Sequence, residues 1–279
     1  MLGSGNGIEN TAEISQIKLS DAIINVGSGA GIRTATALEQ TDNVTINVEG
    51  TNGTGFLFEK NIAGNKMTDV ELNLAGTDGL TINVNSASGQ GLITNSSANV
   101  TSGANINVNQ ATGGSALVVG GISSTVNQHG SVQSKSTENG VSVVDINNSQ
   151  VSTFTNYEQI LAASATQLAL QTLSGPAVTF TNAANAIISG QVNLLNDQDN
   201  SITLISSSKG TDFKASTGDD RFFLKDIKAS EQGTLFHTLN GGAGHDTLQL
   251  DNSVYRVLNT NTILKMEQLE LKNTSTITL

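Results

Sequence analysis

The feature that most constrains this chain is a short strand-like phrase that recurs at nearly regular distance. It reads Ala22-Ile-Ile-Asn-Val26, Val44-Thr-Ile-Asn-Val48, Val70-Glu-Leu-Asn-Leu74, Leu80-Thr-Ile-Asn-Val84 and Ala104-Asn-Ile-Asn-Val108. Each copy alternates apolar and other residues, and each carries Asn at the same internal place. Four are followed by a glycine turn and an apolar residue, Gly31-Ile32, Gly55-Phe56, Gly91-Leu92 and Gly114 before Leu117, and Gly140-Val141 continues the series without a leading strand. The glycine steps are 24, 36, 23 and 26 residues. A unit of about 24 residues built from short alternating strands cannot bury its apolar face alone. It buries that face against the next copy of itself, which makes a solenoid.

The fold expected is therefore all-β: a right-handed parallel β-helix, three-sided, with about 24 residues per coil. About eleven such coils fit the chain, and at one strand spacing per coil they make a rod roughly 50 Å long. Residues 1–279 read as a single rod. Residues 1–150 carry the Ile-Asn-Val coils with their glycine turns. Residues 151–279 change style and carry a repeated Glu-Gln strand element, Tyr157 to Leu170 and again Met266 to Leu279. Part of 157–173 also has the pattern of one or two helical turns. Composition fits a narrow core filled by small aliphatic residues, because Phe, Tyr and Trp together make up only 4%. Gly, Ser, Thr and Asn abound, as in disordered chains, but a disordered tract has no reason to alternate.

Stacked in register, Ile24, Ile46, Ile82 and Ile106 form an inward column. Asn25, Asn47, Asn83 and Asn107 form an outward row. At about 4.8 Å between strands, the amides of such a row can hydrogen-bond from coil to coil as a ladder, or they can simply face water. The same row is a candidate for side-by-side self-association of two rods. The 36-residue step between Gly55 and Gly91 holds about a dozen extra residues, centred on Glu59 to Asp69. Insertions in a solenoid become loops on one face, often the binding face. Glu59, Lys60, Asn61, Asn65, Lys66 and Asp69 are therefore the candidate ligand-binding loop, with an ordinary solvated turn as the alternative.

Gly241-Gly-Ala-Gly-His-Asp-Thr-Leu-Gln249 matches a nine-residue calcium-roll pattern, which makes Asp220 and Asp246 weak Ca²⁺ candidates. The spacing argues otherwise. Gly218 to Gly244 is 26 residues, one coil and not one nonapeptide, so a tight Gly/Asp turn repeated in two coils is the better reading. Asp219 and Asp220, with Asp212 and Asp226 nearby, form the densest carboxylate group. β-Helical polysaccharide lyases and hydrolases use acidic clusters for acid–base work, and Arg221 and His245 would be the partners here. His129, His237 and His245 show no metal-ligand spacing, and His129 reads as an outward turn residue. No Gly-x-Ser-x-Gly nucleophile motif occurs. The expectation is no enzyme, no cofactor and no bound metal.

The 24 acidic residues outnumber 13 Lys plus Arg, for a net charge of −11. A chain so charged makes a poor nucleic-acid partner. No apolar run reaches the 18 residues of a membrane-spanning helix. There are no cysteines, hence no disulfide framework. Met1 opens no export signal, and Ile277-Thr-Leu279 falls inside a strand pattern. The chain reads as an excised piece of a longer protein.

The Ile-Asn-Val strands, the Gly241–Leu250 turn and strand, and Met266-Glu-Gln-Leu-Glu-Leu271 leading into Ser275-Thr-Ile-Thr-Leu279 together resemble the passenger region of a type V autotransporter, of the non-proteolytic, adhesin-like class. That resemblance implies export across the outer membrane of a Gram-negative bacterium as an unfolded chain, which a lack of cysteine suits. It also implies display at the cell surface or secretion, with membrane attachment only through a C-terminal barrel that this sequence does not contain. The implied role is adhesion in virulence: attachment to host matrix protein or glycan, or cell–cell aggregation. A passive stalk presenting another domain and a polysaccharide lyase or hydrolase are the alternatives.

Overall fold

In the computed structural model the chain is a β-solenoid of parallel strands, and no described residue lies in an α-helix. The structure describes residues 3–10, 17–34, 38–59, 72–74, 79–94, 99–120, 125–147, 149–228, 230, 235–258 and 262–278. Three sheets of eleven, seven and nine strands form the sides, and a fourth, of two strands, lies near the C-terminal end. Each strand pairs with its counterpart one coil away.

Alternation decides which side chains enter the core. In the seven-stranded sheet, Ile46, Ile82, Ile106, Val132, Ile160 and Ile188 stack in register, all of them buried. Ile24 belongs to the same column but is only half-buried, because its strand is the edge of that sheet. The nine-stranded sheet contributes Val100, Val126, Phe154, Phe180, Ile202 and Phe222. The eleven-stranded sheet contributes Ile32, Phe56, Leu92, Leu117 and Val144. The core is thus a continuous stack of apolar layers with no centre.

The glycine column has a steric cause. At Gly31, Gly55 and Gly91 a Cβ would overlap Cγ2 of Ile46, Ile82 and Ile106, on the next strand of the seven-stranded sheet. The column is shorter than the sequence suggests. Leu92 pairs with Leu117, and Leu117 with Val144. Ala116 and Val143 therefore take the glycine's place, while Gly114 and Gly140 sit earlier, outside the strands.

Two sequence equivalences do not hold in space. Val70-Glu-Leu-Asn-Leu74 shares the Asn phrase, but its strand Leu72–Leu74 lies in the nine-stranded sheet, beside Val100–Ser102. The two Glu-Gln elements also occupy different sides. Gln159–Leu161 is in the seven-stranded sheet, and Gln268–Lys272 is in the nine-stranded one. The seven-stranded sheet stops at Ile187–Ser189. Beyond it the chain alternates mainly between the other two sides, so an identical phrase lands on a different face. The candidate helical turns within 157–173 are strands, Gln159–Leu161 and Leu168–Thr172, joined by an irregular turn.

The Asn row is a hydrogen-bonded ladder. Asn47 Nδ2 donates to Asn25 Oδ1 at 2.8 Å, Asn83 to Asn47 at 3.0 Å, and Asn107 to Asn83 at 2.9 Å. Gln133 Nε2 extends it to Asn107 Oδ1 at 2.6 Å. Asn83→Ala removes two rungs, each contributing about 1 kcal/mol. A urea-unfolding loss of about 1–2 kcal/mol is expected, and an unchanged midpoint would show the ladder to be energetically idle.

Candidate functional site

Of the candidate binding loop, only Glu59 lies within the described residues; Lys60, Asn61, Asn65, Lys66 and Asp69 fall outside them. Glu59 follows strand Thr54–Phe58. Its carboxylate pairs with Arg33, which also bonds Glu9 Oε1 at 2.9 Å. One guanidinium thus ties three coils on the outer face of the longest sheet. Hydrogen bonding to Glu59 pushes the Arg33 pKa further up. The end of strand Thr54–Phe58 is therefore anchored by an ion-pair network.

In the Asn ladder Asn47, Asn83 and Asn107 each spend one N–H and one oxygen lone pair on their neighbours within the rod, while Asn25, at its end, spends a lone pair alone. An amide has two N–H groups and two lone pairs, so one donor and one acceptor remain on each of Asn47, Asn83 and Asn107 for an outside partner. Asn83 and Asn107 are half-buried in the row, flanked by their own strands.

The densest group of ionisable side chains lies at the corner that leads from the eleven-stranded to the nine-stranded sheet. Here carboxylates and one amide cap backbone N–H groups of the adjacent coil. Asn200 Oδ1 accepts from Val178 N at 3.0 Å, and Asp220 Oδ1 from Asn200 N at 2.7 Å. Asp246 Oδ1 accepts from Asp220 N at 2.8 Å, and Glu267 Oε2 from Asp246 N at 2.8 Å. A second, outer column runs beside it. Asp199 Oδ1 accepts from Asp219 N at 2.9 Å, and Asp219 Oδ1 from His245 N at 2.8 Å. Parallel coils leave these corner N–H groups outside the strand ladders, and a short acidic side chain from the neighbouring coil satisfies them.

Burial sets the electrostatics. Asp220 and Asp246 are 1% and 0% exposed. In each, Oδ2 is buried with no hydrogen-bond partner. Burial pushes the Asp220 carboxyl up to about 6, against the N–H bonds that favour its charged form. Asp246 is raised too, by burial first and then by the charges of Glu267 and Asp219.

The sequence cluster around Asp219 is thereby redistributed. Asp220 and Asp246 do stack one coil apart, with Gly218 against Gly244. Asp212 instead lies on strand Asp212–Lys214 of the eleven-stranded sheet. Asp226 sits past the far end of Arg221–Lys225, where Oδ1 accepts from Asn252 Nδ2 at 2.8 Å. Arg221 turns to Glu270 at 3.3 Å. What joins Asp220 and Asp246 is Asn200 and Glu267, which the sequence reading did not select. Their steps of 20, 26 and 21 residues are too uneven to show as a period. As acid–base groups Asp219 and Asp220 are poorly placed, since one oxygen of each is committed to a backbone cap and Asp220 is out of reach of solvent. Among the described residues no group of three His, Asp or Glu side chains is placed to hold a metal ion.

An apolar groove of about 470 Å³ opens at the C-terminal end of the rod, lined by Leu248, Val257, Ile263, Met266, Leu269 and Ile277. It is where the stacked core meets solvent.

Compared with family models, curated proteins and solved structures, the chain matches none.

Proposed function

We propose that this solenoid is an attachment rod of a bacterial cell surface, an autotransporter passenger that binds host matrix protein or glycan, or a neighbouring cell, along its side. The observation that carries the reading is the lateral faces. Long parallel sheets display repeated outward polar rows, such as Thr125, Thr153, Thr179 and Ser201 beside Asn127, Thr155, Thr181 and Thr203. Each polar contact contributes only about 1 kcal/mol, so a surface of this type suits many weak contacts in register and multivalent display. An absence of cysteine suits passage through a barrel as an unfolded chain.

A stalk is the second reading. It is favoured by the Asn ladder and the corner caps, which tie coil to coil within the rod.

The test displays the chain on a non-adherent bacterium and measures attachment to matrix proteins and glycans, and clumping. Attachment or clumping is expected. Removing residues 59–69 separates the two adhesive mechanisms: lost attachment with intact clumping assigns binding to the loop, and the converse assigns the rod's sides to self-association. A rod that does neither is a stalk.

A further inference from the structure

Aromatic rings are scarce in this chain, and almost all are inside. It has eight Phe, two Tyr and no Trp. Seven of the phenylalanines and Tyr255 are no more than 1% exposed, and Phe223 is half-buried beneath the Arg221 guanidinium. Tyr157 alone stands out, 43% exposed. It lies at the corner from the nine-stranded to the seven-stranded sheet, between strands Thr153–Asn156 and Gln159–Leu161.

Its ring is held from one side. His129 occupies the same corner one coil earlier, since Gln128 pairs with Asn156. The two rings stack with centroids 4.2 Å apart and planes 5° apart. The backbone beneath is fixed as well. Tyr157 N bonds Gln128 O at 2.8 Å, and the buried Asn156 Nδ2 bonds Asn182 Oδ1 at 2.9 Å. One coil further, the equivalent position is Ala183, because Asn156 pairs with Asn182. A methyl group is too small to cover a phenol ring. One face of Tyr157 is thus braced by His129, and toward the next coil the equivalent residue is only Ala183. Exposed Glu158 and Asn185 lie on the same corner.

We infer that the His129–Tyr157 stack is a binding platform for a neutral hexose of a glycan, an inference that rests on the attachment reading above. A pyranose presents a flat C–H face ringed by hydroxyls. The C–H face lies on an aromatic ring, and the hydroxyls need amide and carboxylate partners of the kind Asn185 and Glu158 supply. The ring's fixed orientation lowers the ordering cost of binding. Charge selects the sugar class: with Glu158 adjacent and a net charge of −11, sulfated and uronate-rich chains are repelled.

The test titrates the purified protein by NMR and on an array with neutral oligosaccharides, with heparin and with sulfated glycans. Each variant is first matched to wild type by circular dichroism and melting temperature. Wild type is expected to bind a neutral oligosaccharide. Tyr157→Ala should weaken it about tenfold or more, and Tyr157→Phe, which keeps the ring, should stay within about threefold. Three outcomes overturn the platform: binding unchanged in Tyr157→Ala, binding to sulfated glycans alone, or no glycan binding. Attachment of displaying cells is measured in parallel. If cells attach but no neutral sugar binds through Tyr157, the platform falls and the attachment reading stands. If the sugar binds through Tyr157 but cells neither attach nor clump, the platform stands and the attachment reading falls.

Discussion

Phe180→Ala is expected to lower the free energy of unfolding by about 3–5 kcal/mol, the cost of removing a large ring from a closed core. Phe180 is fully buried. Its ring lies 5.7 Å from Phe154 and 6.3 Å from Phe213, centroid to centroid. Strand ladders on both sides hold the coils at one spacing, so the backbone cannot close on the void. In a solenoid each coil contacts only its neighbours, so the loss weakens the coupling between the two halves of the rod. Urea unfolding followed by circular dichroism reads the effect, with Phe223→Ala, on the outward face, as the comparison. A loss for Phe180→Ala below about 1 kcal/mol would mean that the aromatic stack is not what joins the halves.

Wild-type stability should fall as pH rises from about 4 to about 6, and Asp220→Asn should remove much of that fall. The Asp220 carboxyl is raised from 3.8 to about 6 in the folded protein. Below 3.8 both states hold the proton, and the full stability is present. As pH rises toward 6 the unfolded chain gives up the proton while the folded one keeps it, so folding loses about 3 kcal/mol in total. Asp246, also raised, acts in the same direction. It faces Asp220 across one coil, with Glu267, Asp219 and His245 around it.

Asn fits the site because Asn200 already fills its equivalent one coil earlier. There Oδ1 caps Val178 N, and Nδ2 donates to Gln198 O at 2.8 Å. The matching carbonyl for residue 220 is that of Gly218. At pH 7 the Asp220→Asn rod should therefore be the more stable of the two. Thermal melts from pH 4 to 7.5 decide it. A wild-type melting temperature that climbs with pH, or a variant weaker than wild type at pH 7, would refute the account of the unpartnered Oδ2.

Much of this architecture was legible in the residues. The alternation in Val44-Thr-Ile-Asn-Val48 assigns Ile46 to the core and Asn47 to the surface, and its recurrence at Ile24, Ile82 and Ile106 implies that these positions stack. The amide ladder follows from that stacking and the strand spacing. The corner chemistry was only half legible. Asp220 and Asp246 stand out beside glycines, but Asn200 and Glu267 have no common neighbours to mark them. Nothing local tells that Asp212 turns to another side of the rod. His129 and Tyr157 are 28 apart in the numbering and share no motif, so their stacking was invisible until the coils were laid in register.

The sequence by itself determined that the chain is a stack of parallel strands, and which residues of each strand point inward, because the two-residue period of a strand is a local property. Tertiary structure alone decided which side of the rod each strand occupies. Strand Leu72–Leu74, the end of a phrase that repeats its relatives', lies on a different sheet, and the two Glu-Gln elements part in the same way. The side is set by the number of residues in the preceding turns and by the register against the coil before. Both are sums over the whole preceding chain, and no single phrase contains them.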